Sequence, residues 1–268
     1  ANIRKLRSLG VEFVLPGKGR LACGEEGWGR LASPEEIAGK GMALLQKTES
    51  LRGKKILVTA GPTREPLDPV RFLSNRSSGK MGYELAAEAL WRGAEVVLVS
   101  GPTALAPPAR ATVIPVETAA EMAREVWRHL PAADVLVMAA AVSDFKFEAA
   151  SSRKIKKDKA PARVGLARTE DILAGIRKKK TKKGLLVVGF AAETHDVKRN
   201  ALAKLREKDL DLIVANDVSR PGIGFESDSN QVILADRNGE MVETEVLSKR
   251  EISRLIMDKI EVLIGQKD

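Results

Sequence analysis

The chain has 268 residues, 44% hydrophobic and 30% charged, which excludes a disordered chain and leaves length for one large or two small domains. Its formal net charge of +9 and pI near 9.6 favour anionic partners, yet aromatics are only 4% and none interleave with the basic runs, which weakens a single-stranded nucleic-acid reading. No apolar run approaches the ~18–20 residues that span a membrane, and a single cysteine, Cys23, allows no internal disulfide, so a cytoplasmic protein is expected.

In chain order, ANIRKLRSLG lacks the apolar core of a signal peptide, and the first residue is Ala, so a processed chain or a fragment is expected. GKGRLACGEEGWGRL is rich in glycine, has no period and reads as loop. SPEEIAGKGMALLQ reads as a helix, with Ser33 as N-cap, Pro34 at the first helical position and Glu36 completing a capping box. Residues 1–50 are therefore expected as loop plus helix, too poor in apolar surface for an independent domain, and 51–268 as the main domain.

From Lys54 a rhythm begins. KKILVTAG reads as a buried parallel strand, and GKMGYELAAEALWRG as a helix with Leu85, Ala89 and Leu90 on one stripe and Gly93 closing it. AEVVLVSGP is a strand, TAAEMAREVWRHL a helix capped by Thr118, and ADVLVMAAAVSD a strand. LLVVGFAAET, VKRNALAKLREK and DLIVAND continue as strand, helix and strand. QVILADRNGEMVETEVL reads as a hairpin with a type I′ turn at Asn238-Gly239, and KREISRLIMDKIEVLIG as a last helix. The alternation predicts an α/β fold: a Rossmann-like three-layer, mainly parallel sheet with helices on both faces and a C-terminal β-hairpin. Ligands of such sheets bind outside the carboxyl ends of the strands. Two basic runs interrupt the rhythm, SSRKIKKDKAPAR (151–163) and RKKKTKK (177–183). The second reads as a solvated face; the first follows a strand's carboxyl end and reads as a mobile loop.

FLSNRSSGKMG (72–82) looks like a phosphate loop that fits neither common template. A P-loop needs glycine where Ser74 stands and Ser or Thr where Met81 stands, whereas the dinucleotide spacing fits Ser77, Gly79 and Gly82 with serine in its first slot. Gly79 and Gly82 open a helix, where backbone N–H groups attract anions, or they permit close helix–strand packing. Ser77 and Ser78 are both possible phosphate donors and good N-caps.

Six segments together resemble one family: TAGPTREPLDPVRFLSNRSSGKMG, AAAVSDF, KIKK, GFAAET, LIVANDV and GFESDSNQVIL. They are similar to phosphopantothenate–cysteine ligase, the synthetase half of the bacterial bifunctional coenzyme A biosynthesis protein, over about residues 53–262. Residues 1–50 resemble the tail of the decarboxylase half, with Cys23 matching its active-site cysteine in an Ala-Cys-Gly segment. The resemblance implies an acid–amino-acid ligase. CTP and 4′-phosphopantothenate form an acyl-cytidylate and pyrophosphate, and L-cysteine then releases CMP. It implies Mg2+ on the CTP, a homodimer, and no nucleic-acid or membrane partner. FMN belongs to the decarboxylase half, whose flavin domain this chain lacks, so no decarboxylation is expected from it.

The resemblance also assigns residues. Asn75 would promote turnover of the acyl-cytidylate, and Arg71 would contact the substrate, across a dimer interface in one version. Nucleotide contacts match Met138, Ala139, Ala140 and Asp144, with Lys154 of the KIKK motif neutralising the triphosphate from a closing loop. Glu170, Asp171, Ile172 and Leu173 match a nucleotide-contacting stretch, although Thr-Glu-Asp stands where the family often has Asn-Pro-Asp, which puts a side-chain contact by Glu170 in doubt. Phe190 would wall or stack on the base, or is core at a strand end. Lys204 and Lys208, spaced i, i+4, share one helical face and are either ligands or surface lysines. His129 and His195 are too isolated for a protein metal site, and the metal ligands are left unassigned. Two rival readings are a nicotinamide-dependent oxidoreductase, which would want glycine at position 77 and an acidic residue closing the second strand, and a nucleic-acid module with steep salt dependence.

Overall fold

The structure is a computed structural model that describes residues 2, 3, 6, 13–20, 26–45, 49–157, 163–179, 184–220, 224 and 226–267. The chain divides into two compact units, Ala1–Thr48 and Glu49–Asp268. In the first, β1 (Gly17–Arg20) pairs antiparallel with β2 (Glu26–Arg30), and α1 (Pro34–Leu45) follows. Part of the stretch expected as loop is thus a strand pair; its bonds are made by backbone, so a sequence without side-chain period still pairs. Ser33 caps α1 reciprocally with Glu36, at 3.1 and 2.7 Å. Cys23 and the Ala-Cys-Gly segment around it lie outside the described residues.

The second unit runs β3 (Lys55–Ala60), β4 (Arg64–Pro66), β5 (Phe72–Ser74), α2 (Lys80–Trp91), β6 (Glu95–Ser100), β7 (Thr112–Pro115), α3 (Ala119–His129) and β8 (Val135–Met138). It continues through β9 (Phe145–Phe147), β10 (Leu166–Arg168), α4 (Ile172–Lys179), β11 (Leu186–Glu193), α5 (Val197–Glu207) and β12 (Leu212–Asp217). Last come β13 (Ser229–Asn230), β14 (Val232–Asp236), β15 (Met241–Glu243), β16 (Leu247–Ser248) and α6 (Lys249–Gly265).

Eight strands form one sheet in the order β15-β14-β12-β11-β8-β3-β6-β7. The strands from β12 to β7 are parallel, and β14 and β15 continue the sheet antiparallel. The strands are apolar on both sides because both faces are covered. Ile56, Val58 and Leu98 pack with α2 and α6, while Leu57, Val99 and Leu136 pack with α3, α4 and α5. The expected Rossmann-like mixed sheet between two helical layers is the observed fold. Thr118 caps α3 in a full capping box with Glu121. Gly93, at φ 87°, closes α2 with Ala94 N–H donating to Ala89 O at 3.1 Å.

Two details differ from expectation. The β14–β15 turn is not type I′, which needs positive φ at both central residues: Gly239 is at φ 90° but Asn238 is not in that region. Instead Asp236 and Glu240 close a three-residue loop, with Asp236 Oδ1 accepting from the N–H of Asn238 and Glu240. Further strands appear in segments read as connections, namely β4, β5, β7, β9 and β10, each three or four residues long.

The strand order places the site. From β3 the chain moves outward to β6 and β7, then returns to β8 on the other side of β3. The β3–β8 boundary is the topological switch point, and the carboxyl ends there diverge to leave a crevice.

Candidate active site

A cleft of about 480 Å3 opens at that switch point. Its floor is the end of β8: Met138, Ala139 and Ala140. Ala140 N–H donates to Thr59 Oγ1 at 3.1 Å and Ala141 N–H to Gly61 O at 2.9 Å, so the two strand exits are stitched together. Gly61 (φ 75°) and Gly101 make the turn possible; a Cβ on Gly101 would lie 1.8 Å from Pro62 O.

One wall is the loop that enters α2. Asn75, Ser77, Ser78, Gly79 and Gly82 all line the cleft. Gly79, rather than either serine, is the N-cap residue, at φ 80° and with no side-chain cap. Ser77 Oγ accepts from Gly79 N–H at 3.3 Å. Gly82 serves close packing: a Cβ there would sit 2.5 Å from Ala60 Cβ. The first intrahelical bond is Tyr83 N–H to Gly79 O, so the N–H groups of residues 80–82 in the first turn head the helix beside the cleft without an intrahelical acceptor. Packing glycine and anion-attracting helix end therefore coexist. Asn75 Nδ2 donates to Ala141 O at 3.0 Å and Val142 O at 3.2 Å, tying this loop to the exit of β8.

The opposite wall is built by the β9–β10 ribbon, which returns the chain so that Thr169 N–H donates to Asp144 O at 3.0 Å. Asp144, Glu170, Asp171, Ile172 and Leu173 line this side, with Phe190 from β11, Lys204 from α5 and Lys208 from the C-cap of that helix. Ile172 is buried and belongs to the core beneath, and Phe190 packs against the other core face while reaching the cleft. Glu170 accepts from the Trp127 indole N–H at 2.9 Å, so its carboxylate is already engaged. Asp171 caps α4 through Ala174 N–H at 2.9 Å and pairs with Lys208 at 2.6 Å. The Asp171 hydrogen bond holds the Lys208 ammonium above its ordinary pKa against burial. Burial pushes Asp171 up, but Lys208, Ala174 N–H and the Lys204 charge more than offset it, and it titrates below its usual value. Lys204 donates to Phe190 O at 3.2 Å.

Two expected residues stand apart from the cleft lining. Arg71 forms a fork onto the buried Asp68 carboxylate, Nε at 3.1 Å and Nη2 at 2.5 Å, and its Nη2 also donates to Ile155 O at 3.0 Å. Asp68 Oδ2 accepts from Ile155 N–H at 3.1 Å, so Asp68 and Arg71 grip both backbone groups of one residue inside the KIKK motif. The Arg71 guanidinium, joined by the N–H groups of Val70, Ile155 and Arg71, holds Asp68 far below the usual carboxylate range against desolvation. Arg71 thus anchors the basic loop in this chain. Lys154 is exposed beside that anchor and is not among the residues lining the cleft. The loop leaves from the Phe147–Leu166 end of the β9–β10 ribbon, opposite the end where Thr169 N–H meets Asp144 O beside the cleft.

Sequence reasoning missed Lys80 and Lys249, both of which line the cleft. Lys80 stands in the Gly79-Lys80 pair that prompts the P-loop comparison, which supplies no role for it once that template fails; Lys249, the first residue of α6, carries no local signal. Among the described residues no three His, Cys, Asp or Glu side chains gather as a metal site, and no helix is long and apolar enough to cross a membrane.

Residues 51–263 match the family of the DNA/pantothenate metabolism flavoprotein C-terminal domain. Among curated relatives, the Bacillus subtilis (strain 168) coenzyme A biosynthesis bifunctional protein CoaBC is 44% identical over 269 residues, which cover 99% of this chain and 66% of that protein, so the chain spans slightly less than two thirds of its length. The solved C-terminal domain of a coenzyme A biosynthesis bifunctional protein CoaBC is 42% identical, with TM-score 0.70 over 82% of this chain and 100% of that one. A mutant Cab2 in complex with phosphopantothenate-cysteine is 18% identical, with TM-score 0.62 over 88% of this chain and 96% of that one, and shares the fold.

Proposed function

This chain belongs to the DNA/pantothenate metabolism flavoprotein C-terminal domain family, and from that premise we propose that it is a phosphopantothenate–cysteine ligase of coenzyme A biosynthesis that uses CTP. The observation that carries this reading is one cleft at the sheet's switch point in which a helix N-terminus, an asparagine and several lysines converge. Triphosphate, substrate phosphate and carboxylate all bring negative charge, and catalysis of their condensation is mainly positioning and charge neutralisation.

In the first step a carboxylate oxygen of 4′-phosphopantothenate bonds to the α-phosphorus of CTP, and the bond to pyrophosphate breaks. In the second, the cysteine amine bonds to the acyl carbon, CMP leaves, and the ammonium proton passes to solvent. The N–H groups of residues 80–82 at the head of α2 receive phosphate oxygens. Ala139 and Ala140 admit the nucleotide close to backbone, Phe190 walls it, and Asp144 accepts from its hydroxyls. Lys204 and Lys208 supply cationic charge to the same wall. Lys154 contributes when the 151–157 segment closes, swinging about the Ile155 anchor. Mg2+ suits the triphosphate better than a protein cage, because Glu170 and Asp171 are engaged with Trp127 and Lys208; bound there it would screen phosphate charge. The active unit is proposed to be a homodimer in the cytoplasm.

The test is pyrophosphate release from CTP, 4′-phosphopantothenate and Mg2+, with and without L-cysteine, with ATP as a parallel arm. Release with CTP and amide formation on adding cysteine are expected; no release in any arm ends the ligase reading, and ATP preferred over CTP ends the nucleotide assignment. Asn75→Ala is expected to keep pyrophosphate release while losing about 100-fold or more in amide formation, as loss of one positioned hydrogen-bonding group does. Equal loss of both steps would mean that Asn75 serves only the tie to Ala141 and Val142.

A further inference from the structure

The cleft has a second cationic corner, away from Lys204 and Lys208. Lys249 is 5% exposed, an extreme burial for a lysine. It stands at the start of α6 and lines both the cleft and an adjoining cavity of about 490 Å3 between α2 and α6. Lys80, from the first turn of α2, lines the same two spaces. Lys80 Nζ pairs with Asp228 at 2.6 Å and donates to Glu226 O at 3.0 Å, and Asp228 O in turn accepts from Lys249 N–H at 2.9 Å. The Asp228 side chain is 88% exposed, so water screens its carboxylate, while Lys249 is shielded from water. Burial first and the Lys80 charge second push the Lys249 ammonium down to about 8, with Asp228 only partly opposing them. Glu84 and the exposed Arg250 line the same adjoining cavity, and burial pushes the Glu84 carboxyl up, so three cations (Lys80, Lys249, Arg250) stand there against two carboxylates (Asp228, Glu84), and of these five only Lys80 and Lys249 also line the cleft.

We propose that Lys249 and Lys80 form a phosphate-oxyanion subsite of the cleft, in which Lys249 contacts a ligand phosphate directly. This deepens the ligase reading and rests on it only for the choice of ligands. The shared chemistry is a phosphate oxyanion; its source is either the polyphosphate of the nucleotide or the phosphate monoester of the acyl substrate. A compact ammonium at the end of a flexible stem suits either as a point charge.

The test titrates CTP, inorganic pyrophosphate and 4′-phosphopantothenate by calorimetry into the wild-type chain and into Lys249→Met, Lys249→Arg, Lys80→Met and Arg250→Gln. Lys249→Met is expected to weaken at least one of the three by about 10- to 100-fold, the range for a charged hydrogen bond. Lys249→Arg should retain most of the affinity. Arg250→Gln, which removes the same formal charge from the next, exposed position, should bind as wild type. Joint loss of CTP and pyrophosphate binding assigns the subsite to the nucleotide; loss of 4′-phosphopantothenate alone assigns it to the monoester. Melting curves run alongside and show which variants fold. If Lys249→Met does not fold, Lys80→Met reads the same corner. Unchanged binding of all three ligands, no binding by wild type, or an equal loss in Arg250→Gln overturns the proposal. Turnover of the wild-type chain with CTP separates the two failures: turnover with unaltered Lys249→Met binding leaves the ligase reading standing, and altered binding without turnover leaves the subsite standing.

Discussion

Lys249 also carries a cost that can be measured apart from any ligand. Its folded pKa of about 8 lies below the ordinary 10.5 of a lysine, with burial the first cause, repulsion from Lys80 the second, and attraction to Asp228 opposing both. Between those values the unfolded chain binds the proton more tightly than the folded one, so stability rises with pH through that window and falls as pH drops through about 8. Below it the penalty is fully present. The stability of Lys249→Met relative to wild type is therefore expected to fall by on the order of 1 kcal/mol as pH rises from 7 to 10, after allowance for residual solvent around the group. Urea denaturation of both proteins at pH 7, 8.5 and 10 checks it; a gap constant across the range would mean the ammonium is not desolvated. Phosphate bound at this corner would favour the charged form and shrink the penalty. Nothing local in the sequence foretells this, because the environment of Lys249 is made by α2, the 226–228 segment and α6 meeting in space. Asn75 is different: its position before a glycine-opened helix marked it, although the two carbonyls it binds lie beyond β8 and were invisible to local reading.

At the level of elements, what was legible followed from apolar content and caps. β3, β6, β8, β11 and β12 are short apolar runs buried on both faces, and α2, α3, α5 and α6 carry their stop and start signals in residues such as Gly93 and Thr118. The strands β4, β5, β7, β9 and β10 were illegible because three or four residues hold no period, and their pairing is set by partners elsewhere. That blind spot hid the relation between the β4–β5 hairpin and the basic loop. Asp68 and Arg71 from the hairpin grip Ile155, and Ser151 N–H donates to Leu67 O at 2.9 Å, so hairpin and loop form one substructure. A residue assigned to substrate from the motif alone proves to hold the loop that bears Lys154. Asp68→Asn should leave the fold intact but release residues 151–157. Amide exchange there should quicken, and KM for CTP should rise several-fold more than KM for 4′-phosphopantothenate, as expected when a gating loop loses its hinge. Lys154→Gln in the Asp68→Asn background should add little. Equal rises in both KM values, or unaltered exchange, would refute the hinge.

On the scale of the whole molecule, the decisive feature is the change of winding direction between β3 and β8. It leaves one crevice, and every described residue that lines it belongs to Glu49–Asp268. Both core layers also close within that unit: Leu51 packs at one edge of the first, and the helices over each face come from the same stretch. A unit of this size can bury enough apolar surface to fold alone. The net charge of +9 acts at longer range, favouring the approach of anions in a salt-dependent way without altering the geometry of a crevice lined by both lysines and carboxylates. The chain Glu49–Asp268, expressed by itself, is therefore expected to unfold in a single cooperative transition. It should bind CTP within about 2-fold of the full chain, since every described residue that lines the crevice lies within it. If CTP is the ligand, at saturation it should raise the melting temperature of both lengths alike, because a ligand that binds only the folded state stabilises by mass action. Calorimetric melts of both lengths, with and without CTP, decide it. A loss of cooperativity in the shorter chain, or a CTP response confined to the longer one, would mean that residues before Glu49 complete the crevice or its core.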